Sequence, residues 1–230
     1  MRLINYLNER TSNYGSGCSF VDIDETLFST FAKILVKDKQ TGKVVRELDN
    51  QEFNSYKLKD NEEYDFQQFR SSEIFYQTSK PIKPMIERIK RMIHKIETTE
   101  RGKGSKIIFL TAREDFDDKN KFLAKFEKHG IKMSDSSIVY VERAGNIRTG
   151  TIPSKKKKIV MDYIKEIKYR RMRMIDDHKG NLVDFLQIEK ELPQDIIDKY
   201  REKFNIPEGE KVIDFYALYV DKAGKLQQIT

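Results

Sequence analysis

The sequence predicts an α/β protein: a parallel sheet in three layers with helices on both faces. Three observations lead there. Short apolar runs recur along the chain and each stops abruptly in polar residues, as buried parallel strands do at their carboxyl ends. Between them lie segments whose apolar residues repeat at helical spacing. The two kinds of segment alternate, the order that builds crossover units. At 230 residues the chain suits a single domain, 1–230, carrying a modest insertion at 29–80.

Residues 1–17 hold a short amphipathic turn and then Thr11-Ser-Asn-Tyr-Gly-Ser-Gly17, a flexible entry to the first strand. That strand, within Cys18-Ser-Phe-Val-Asp-Ile-Asp-Glu-Thr-Leu-Phe28, is apolar to Val21 and then ends in acid. Ala32–Lys37 and Lys43–Leu48 bracket Asp38-Lys-Gln-Thr-Gly42, a hairpin signal. From Asp49 to Lys80 the pattern is irregular and rich in aromatics, including Phe53, Phe66, Phe69 and Phe75, which reads as a small cap leaning over the end of the first strand. Pro81 to Glu97 is a helix, with Ile82, Met85, Ile86, Ile89, Met92, Ile93 and Ile96 on its inner face and lysine and arginine outside. Lys106-Ile-Ile-Phe-Leu110 is the second strand and ends in Thr111-Ala-Arg113.

Asp117–Lys128 is a helix stopped by His129-Gly130, Ser137–Val141 is a strand, and Ser154 caps a helix carrying Ile159, Val160, Tyr163 and Ile164. Arg173-Met-Ile175 is a strand that ends in Asp176-Asp177. Asp195–Phe204 reads as a helix, and Val212–Val220 with Lys225–Ile229 as a closing strand and hairpin.

The net charge of +7 and a pI near 9.2 favour an anionic substrate or partner. Much of the surplus lies in Lys155–Lys158 and in Lys168–Arg173, beside the segments that carry the acids, a placement suited to steering a phosphate-bearing ligand. The single cysteine, Cys18, excludes an internal disulfide and a cysteine-built metal site, and its place inside a strand suggests packing. His94, His129 and His178 form no metal-binding pattern. No run reaches the ~18 apolar residues that a membrane helix needs. Met1-Arg-Leu-Ile-Asn-Tyr-Leu7 lacks the pattern of a signal peptide, so a cytoplasmic protein is expected.

Asp22 and Asp24, with only Ile23 between them, sit where open α/β sheets hold their chemistry. Two carboxylates this close stay ionised only beside a cation or strong donors, and a hard cation with oxygen ligands, Mg2+ above all, suits them. An acidic surface turn is the plain alternative for Asp-x-Asp alone. Thr111, a lysine at a helix start and Asp176-Asp177 follow in order. Among Lys155–Lys158, helical spacing to Ile159, Val160 and Tyr163 favours Lys156, with Lys157 next, and a solvated helix end is the plain alternative for the run.

This set resembles the haloacid dehalogenase superfamily of phosphohydrolases, with its Asp-x-Asp-x-Thr, strand-end Thr or Ser, Lys and terminal acid pair. The resemblance implies a Rossmann-like fold with a hairpin flap beside the site, Mg2+ as cofactor, and a phosphate monoester as substrate. It implies Asp22 as nucleophile forming an aspartyl phosphate, and Asp24 as the acid and base whose backbone carbonyl completes the metal shell. Asp22, Asp24, Asp176 and Asp177 are then the metal set. Thr111 and Lys156 assist catalysis, and Thr111, Ala112, Arg113 and Lys157 bind substrate phosphate. Arg113 is open to a second reading, a structural ion pair with Glu114 or Asp115. Asn181 could orient a metal-bound water or cap a helix. Short motifs (Leu-Thr-Ala-Arg, Asp-Asp-His, Asn-Leu) look like small members from tailed bacteriophages and bacteria, some related to polynucleotide end-repair phosphatases. With the basic charge, this points to nucleotides or nucleic-acid ends as substrates. A phosphoprotein phosphatase and a non-catalytic structural or binding protein on the same fold are the alternatives.

Overall fold

The computed structural model describes residues 16–133 and 136–229; the amphipathic turn expected near the amino terminus falls on residues 1–15, outside them. The chain runs β1 (Ser16–Val21), β2 (Phe28–Ser29), β3 (Ile34–Asp38), β4 (Val44–Leu48), α1 (Asn50–Ser55), β5 (Glu62–Asp65), α2 (Gln67–Arg70), α3 (Ser72–Thr78), β6 (Lys80–Pro81) and α4 (Lys83–Thr98). It continues β7 (Lys106–Thr111), α5 (Lys119–Glu127), β8 (Val139–Arg143), α6 (Ile152–Ile164), β9 (Tyr169–Asp176), α7 (Lys179–Lys190), α8 (Gln194–Phe204), β10 (Asp214–Val220) and β11 (Leu226–Ile229).

The central sheet has the order β8-β7-β1-β9-β10-β11, parallel except for β11, which pairs antiparallel with β10. The alternation of side chains along the strands sorts the core into two layers. Cys18, Phe20, Ile108, Leu110, Met172 and Met174 pack on one face against α6, α7 and α8, through residues such as Val160, Phe185 and Tyr200. Val21, Ile107, Phe109 and Ile175 face the other way, onto Met85, Ile86 and Ile89 of α4 and Phe122 and Phe126 of α5. Cys18 is fully buried, and loss of hydration pushes its thiol far above the ordinary range, so it packs and does not react. Among the described residues no helix is long and apolar enough to cross a membrane.

The insertion is more ordered than its sequence suggests. The expected hairpin is there as β3 and β4, but β5, Glu62-Glu-Tyr-Asp65, joins β3 from the other side to make a three-stranded sheet. Three short helices fill the stretch from Asp49 to Lys80 that reads as irregular. Its local pattern is weak because acidic residues make poor strand formers, and pairing with β3 decides the matter. The two ends of the insertion meet in the β2–β6 pair, Phe28 beside Pro81 and Ser29 beside Lys80.

The helix at 152–164 starts earlier than expected. Its cap is Thr151, which accepts from the Ser154 N–H at 3.4 Å, and not Ser154. Pro153 explains the shift, since a residue without an N–H is well placed in a first helical turn.

One buried cation fastens the insertion to the sheet. Lys125 of α5, 3% exposed, donates to the Tyr76 and Ser79 carbonyls at 2.7 and 2.6 Å, capping the carboxyl end of α3. Phe75 of the same helix packs at 5.2 Å from Phe122 and 5.5 Å from Phe28. Lys125→Met keeps the apolar stem and orphans two carbonyls, so it should cost about 1–3 kcal/mol in urea unfolding. An unchanged midpoint and slope would show that α3 does not depend on this cap.

Candidate functional site

Register brings the predicted polar residues together. Val21 lies beside Phe109 on one side and Ile175 on the other. Asp22, Thr111 and Asp176 therefore all stand at the carboxyl edge of the sheet, and the Asp22 N–H donates to the Ile175 carbonyl at 2.9 Å. The chain then turns tightly, with the Leu27 and Phe28 N–H groups both donating to the Ile23 carbonyl at 2.9 and 3.0 Å. Glu25 takes a left-handed backbone, φ 55°, which is costly for a side chain other than glycine. Its carboxylate accepts from the Thr30 N–H at 2.9 Å and steadies the turn.

At the centre is Lys156, 2% exposed, reaching from the first turns of α6. Its ammonium donates to Asp22 Oδ1 at 2.6 Å and to Asp176 Oδ2 at 2.7 Å. Burial alone would push this lysine down, but Asp176 and Asp22 outweigh it and hold the ammonium above its ordinary value. Oxygens of Asp22, Asp176 and Asp177 all lie within 4.8 Å of one another. Burial, and after it the neighbouring Asp176 and Asp177, hold Asp22 well above the carboxylate range despite Lys156. Asp177 is pushed up to about 7 by burial and then by Asp176.

Two side chains and one glycine that sequence reasoning left without a role, or with an open one, complete this arrangement. The Thr26 hydroxyl, fully buried, accepts from the Asp177 N–H at 3.1 Å and ties the first motif to the last. Asn181, in the first turn of α7, donates its amide to both oxygens of Asp176 at 2.9 Å, so it does not cap the helix; its own Oδ1 is buried with no donor among the described residues. Gly145 lies so close to the strand end that a side chain there would meet the Ala112 carbonyl at 2.5 Å. Thr26 carried a sequence signal as the last residue of Asp-x-Asp-x-Thr and Asn181 by its place four beyond Asp177, whereas Gly145 carried none.

Arg113 is the main departure. It is 3% exposed, and its guanidinium clasps Asp24 through Nε at 2.9 Å and Nη2 at 2.6 Å. The remaining donors reach the Phe69 carbonyl at 2.7 Å and the Thr30 hydroxyl at 3.0 Å, both in the insertion. The rings of Phe69 and Phe75 lie 4.7 and 5.1 Å from its central carbon. With these donors engaged, Arg113 positions Asp24 and does not reach for a ligand. The acids first considered for it go elsewhere, Glu114 to Arg70 at 3.5 Å and Asp115 to Arg143 at 3.4 Å. The Asp24 carboxylate accordingly lies outside the trio of clustered acids. Lys157 turns outward to Glu191 at 2.5 Å, while Lys155 joins Lys156 at the cavity. His178 is exposed at the rim, and its N–H donates to Asp176 Oδ1 at 2.8 Å.

Above the acids opens a cavity of about 370 Å³. Asp22, Asp24, Ala112, Lys155 and Asp177 line one side, and the insertion supplies Ile34, Phe53, Phe66 and Phe69 on the other. The amino ends of α6 and α7 both border it, which favours negative charge there. Three carboxylates against one ammonium leave an excess of negative charge, all donors are hard oxygens, and Asn181 adds an orphaned one. This donor set fits Mg2+, with Asp22, Asp176 and Asp177 as the residues that would hold it. Compared with known proteins, the sequence matches no family model and no curated relative.

The raised Asp177 carries a signed consequence for the metal-free protein. Below about pH 4 the group is protonated both folded and unfolded. Between there and about 7 only the folded state holds the proton, so stability is lost as pH rises through that window. Asp177→Asn in EDTA should thus melt like wild type near pH 4 and about 3–6 °C higher above pH 7. A difference that stays constant across the range, or shrinks as pH rises, would contradict this.

Proposed function

We propose that this protein is a Mg2+-dependent phosphomonoester hydrolase of the haloacid dehalogenase type, with a Rossmann-like core and the insertion acting as a small cap. The carrying observation is the meeting of Asp22, Asp176 and Asp177 around Lys156 at one sheet edge, from three segments of chain that are far apart in sequence.

A phosphate monoester resists attack because its oxygens are negative, and most of the rate comes from neutralising them with fixed charge. Mg2+, held by Asp22, Asp176 and Asp177, supplies part of that charge when bound. Lys156 supplies more and keeps one oxygen of Asp22 fixed, so that the other attacks phosphorus in line. The bond from phosphorus to the leaving oxygen breaks, Asp24 gives that oxygen a proton, and an aspartyl phosphate remains on Asp22. Water then attacks the same phosphorus, Asp24 takes its proton, and inorganic phosphate leaves with Asp22 restored. Thr111 and the backbone around Ala112 hold the phosphoryl oxygens. The aromatic wall of Phe53, Phe66 and Phe69 gives the organic part of the substrate an apolar surface. That wall suits a nucleobase, in keeping with the basic charge, so nucleotides and nucleic-acid terminal phosphates are the substrates to test first.

One observation favours a second reading. Arg113 occupies both oxygens of Asp24, as expected of a carboxylate kept for structure in a non-catalytic binding protein. A carboxylate has about four lone-pair positions, so the pair leaves room for a proton, and mutants decide between the readings.

Hydrolysis of nitrophenyl phosphate, and a screen of nucleotides and 3′-phosphorylated oligonucleotides, should stop in EDTA and return with Mg2+. Asp22→Asn should be inactive and form no phosphoenzyme. Asp24→Asn should lose roughly 100- to 10,000-fold in turnover. With nitrophenyl phosphate, whose leaving group needs little help, that variant should still accumulate an acid-stable, hydroxylamine-sensitive phosphoprotein. Wild type that binds Mg2+ yet turns over nothing, with no phosphoenzyme in either variant, would establish the non-catalytic reading.

A further inference from the structure

A second cavity, of about 570 Å³, lies toward the opposite end of the strands from the acids. Its floor is formed by residues of β1, β9 and β10, among them Ser19, Arg171, Arg173, Tyr216 and Leu218. The sequence of β9 registers this: Tyr169-Arg-Arg-Met-Arg-Met-Ile-Asp176 buries Met172 and Met174 on one face and sets Arg171 and Arg173 half-buried on the other. A central parallel strand covered on both faces would read as continuously apolar. Here it alternates, because one side borders this cavity. The arginine run expected to flank the acid site thus points away from it.

One wall is a stripe of α4 at helical spacing, Arg88, Met92, Lys95 and Ile96, and Thr99 with the turn after α4 closes the end. Six cations line the groove (Arg88, Lys95, Arg101, Lys106, Arg171 and Arg173), and among the described residues no Asp or Glu does. Some are engaged: Arg171 donates to the Arg101 carbonyl at 3.3 Å, and Lys106 lies 4.5 Å from the Tyr140 ring. Arg173 is held below its ordinary value by burial and then by Arg171 and Arg88, and no carboxylate pairs with it among the described residues. Asp214 offsets Arg171 in part, but six like charges gathered with so little acid destabilise a fold, and a bound anion relieves them.

The spread of these cations bears on what that anion is. Arg88 and Lys95 are seven residues apart on a helix, about 10 Å. Arg171 and Arg173 are about 7 Å apart along a strand, and Arg171 is about 17 Å short of Asp176. Charges strung out in this way suit a chain of phosphates better than one phosphate. Tyr216, Met92, Ile96 and Leu218 lie between them as surfaces for bases. We infer that this groove binds single-stranded nucleic acid through its backbone, at a site separate from the acid cluster. The inference does not depend on the hydrolase reading.

The test is fluorescence anisotropy with a labelled oligothymidylate of about 20 nucleotides lacking a terminal phosphate, in EDTA, at several salt concentrations. Wild type should bind, and more weakly as salt rises. Arg88→Gln combined with Arg173→Gln should weaken binding at least tenfold and lower the log–log salt slope by about 1.4, given ~0.7 per phosphate contact. The same variant should hydrolyse nitrophenyl phosphate as wild type does, and Asp22→Asn should bind the oligonucleotide as wild type does. If Arg173→Gln disturbs folding, Arg88→Gln with Lys95→Gln, both on the exposed helix face, should still weaken binding several-fold. Should wild type hydrolyse nothing but bind in this pattern, the groove stands and only the hydrolase reading fails. Affinity unchanged in both groove variants would overturn the inference, as would wild type that binds vesicles of anionic lipid and ignores the oligonucleotide.

Discussion

The structure depends on one constraint: Asp22, Asp176 and Lys156 are buried together, and none of them is tolerable there alone. A buried charge costs several kcal/mol unless it is paired and hydrogen-bonded. Lys156 meets that condition by donating to both acids, Asn181 donates to Asp176, and Asp22 still lies well above its ordinary value. These groups come from β1, β9, α6 and α7. The same contacts join the ends of the two neighbouring central strands to the first turns of both helices at one sheet edge. A fold kept only for its shape would be served as well by apolar residues of similar volume. The retained charges are therefore the strongest support for chemistry at this edge.

Arg113 is the second clasp, and it joins the first to the insertion. One guanidinium holds Asp24 from the first motif, the Phe69 carbonyl and the Thr30 hydroxyl, with Phe75 against it. Lys125 fastens the same insertion from below. The aromatic wall is thereby set at a fixed place across from the acids, so the insertion and Asp24 are positioned by shared contacts. In the catalytic reading, a disturbance of the insertion reaches Asp24 directly.

Much of this was legible in the sequence because it is written in local signals. Apolar runs that end in Asp22, Thr111 and Asp176 marked strand ends, and parallel pairing put those ends on one edge. Helical spacing to Ile159, Val160 and Tyr163 favoured Lys156 over Lys157 within the run of four, and burial of Lys156 decides between them. What escaped reading depends on partners far away in sequence. Nothing near Arg113 indicates Asp24, 89 residues earlier; the adjacent acids look like better partners and are drawn off by Arg70 and Arg143. Glu62–Asp65 becomes a strand only because β3 offers an edge. The arginines of β9 look like support for the acid site until the sheet shows which face they occupy.

The central claim is that Asp22 is a nucleophile held ready by Lys156, beside carboxylates that take Mg2+. Beryllium trifluoride forms an acyl-phosphate mimic on a nucleophilic carboxylate, so a crystal structure of the protein with Mg2+ and beryllofluoride tests it directly. The account predicts the trifluoride bonded to an oxygen of Asp22, within reach of the Lys156 ammonium and the Thr111 hydroxyl, with Mg2+ bound by Asp22, Asp176 and Asp177. An unmodified Asp22, or trifluoride on another carboxylate, in crystals that do contain Mg2+ at the acid trio would contradict it.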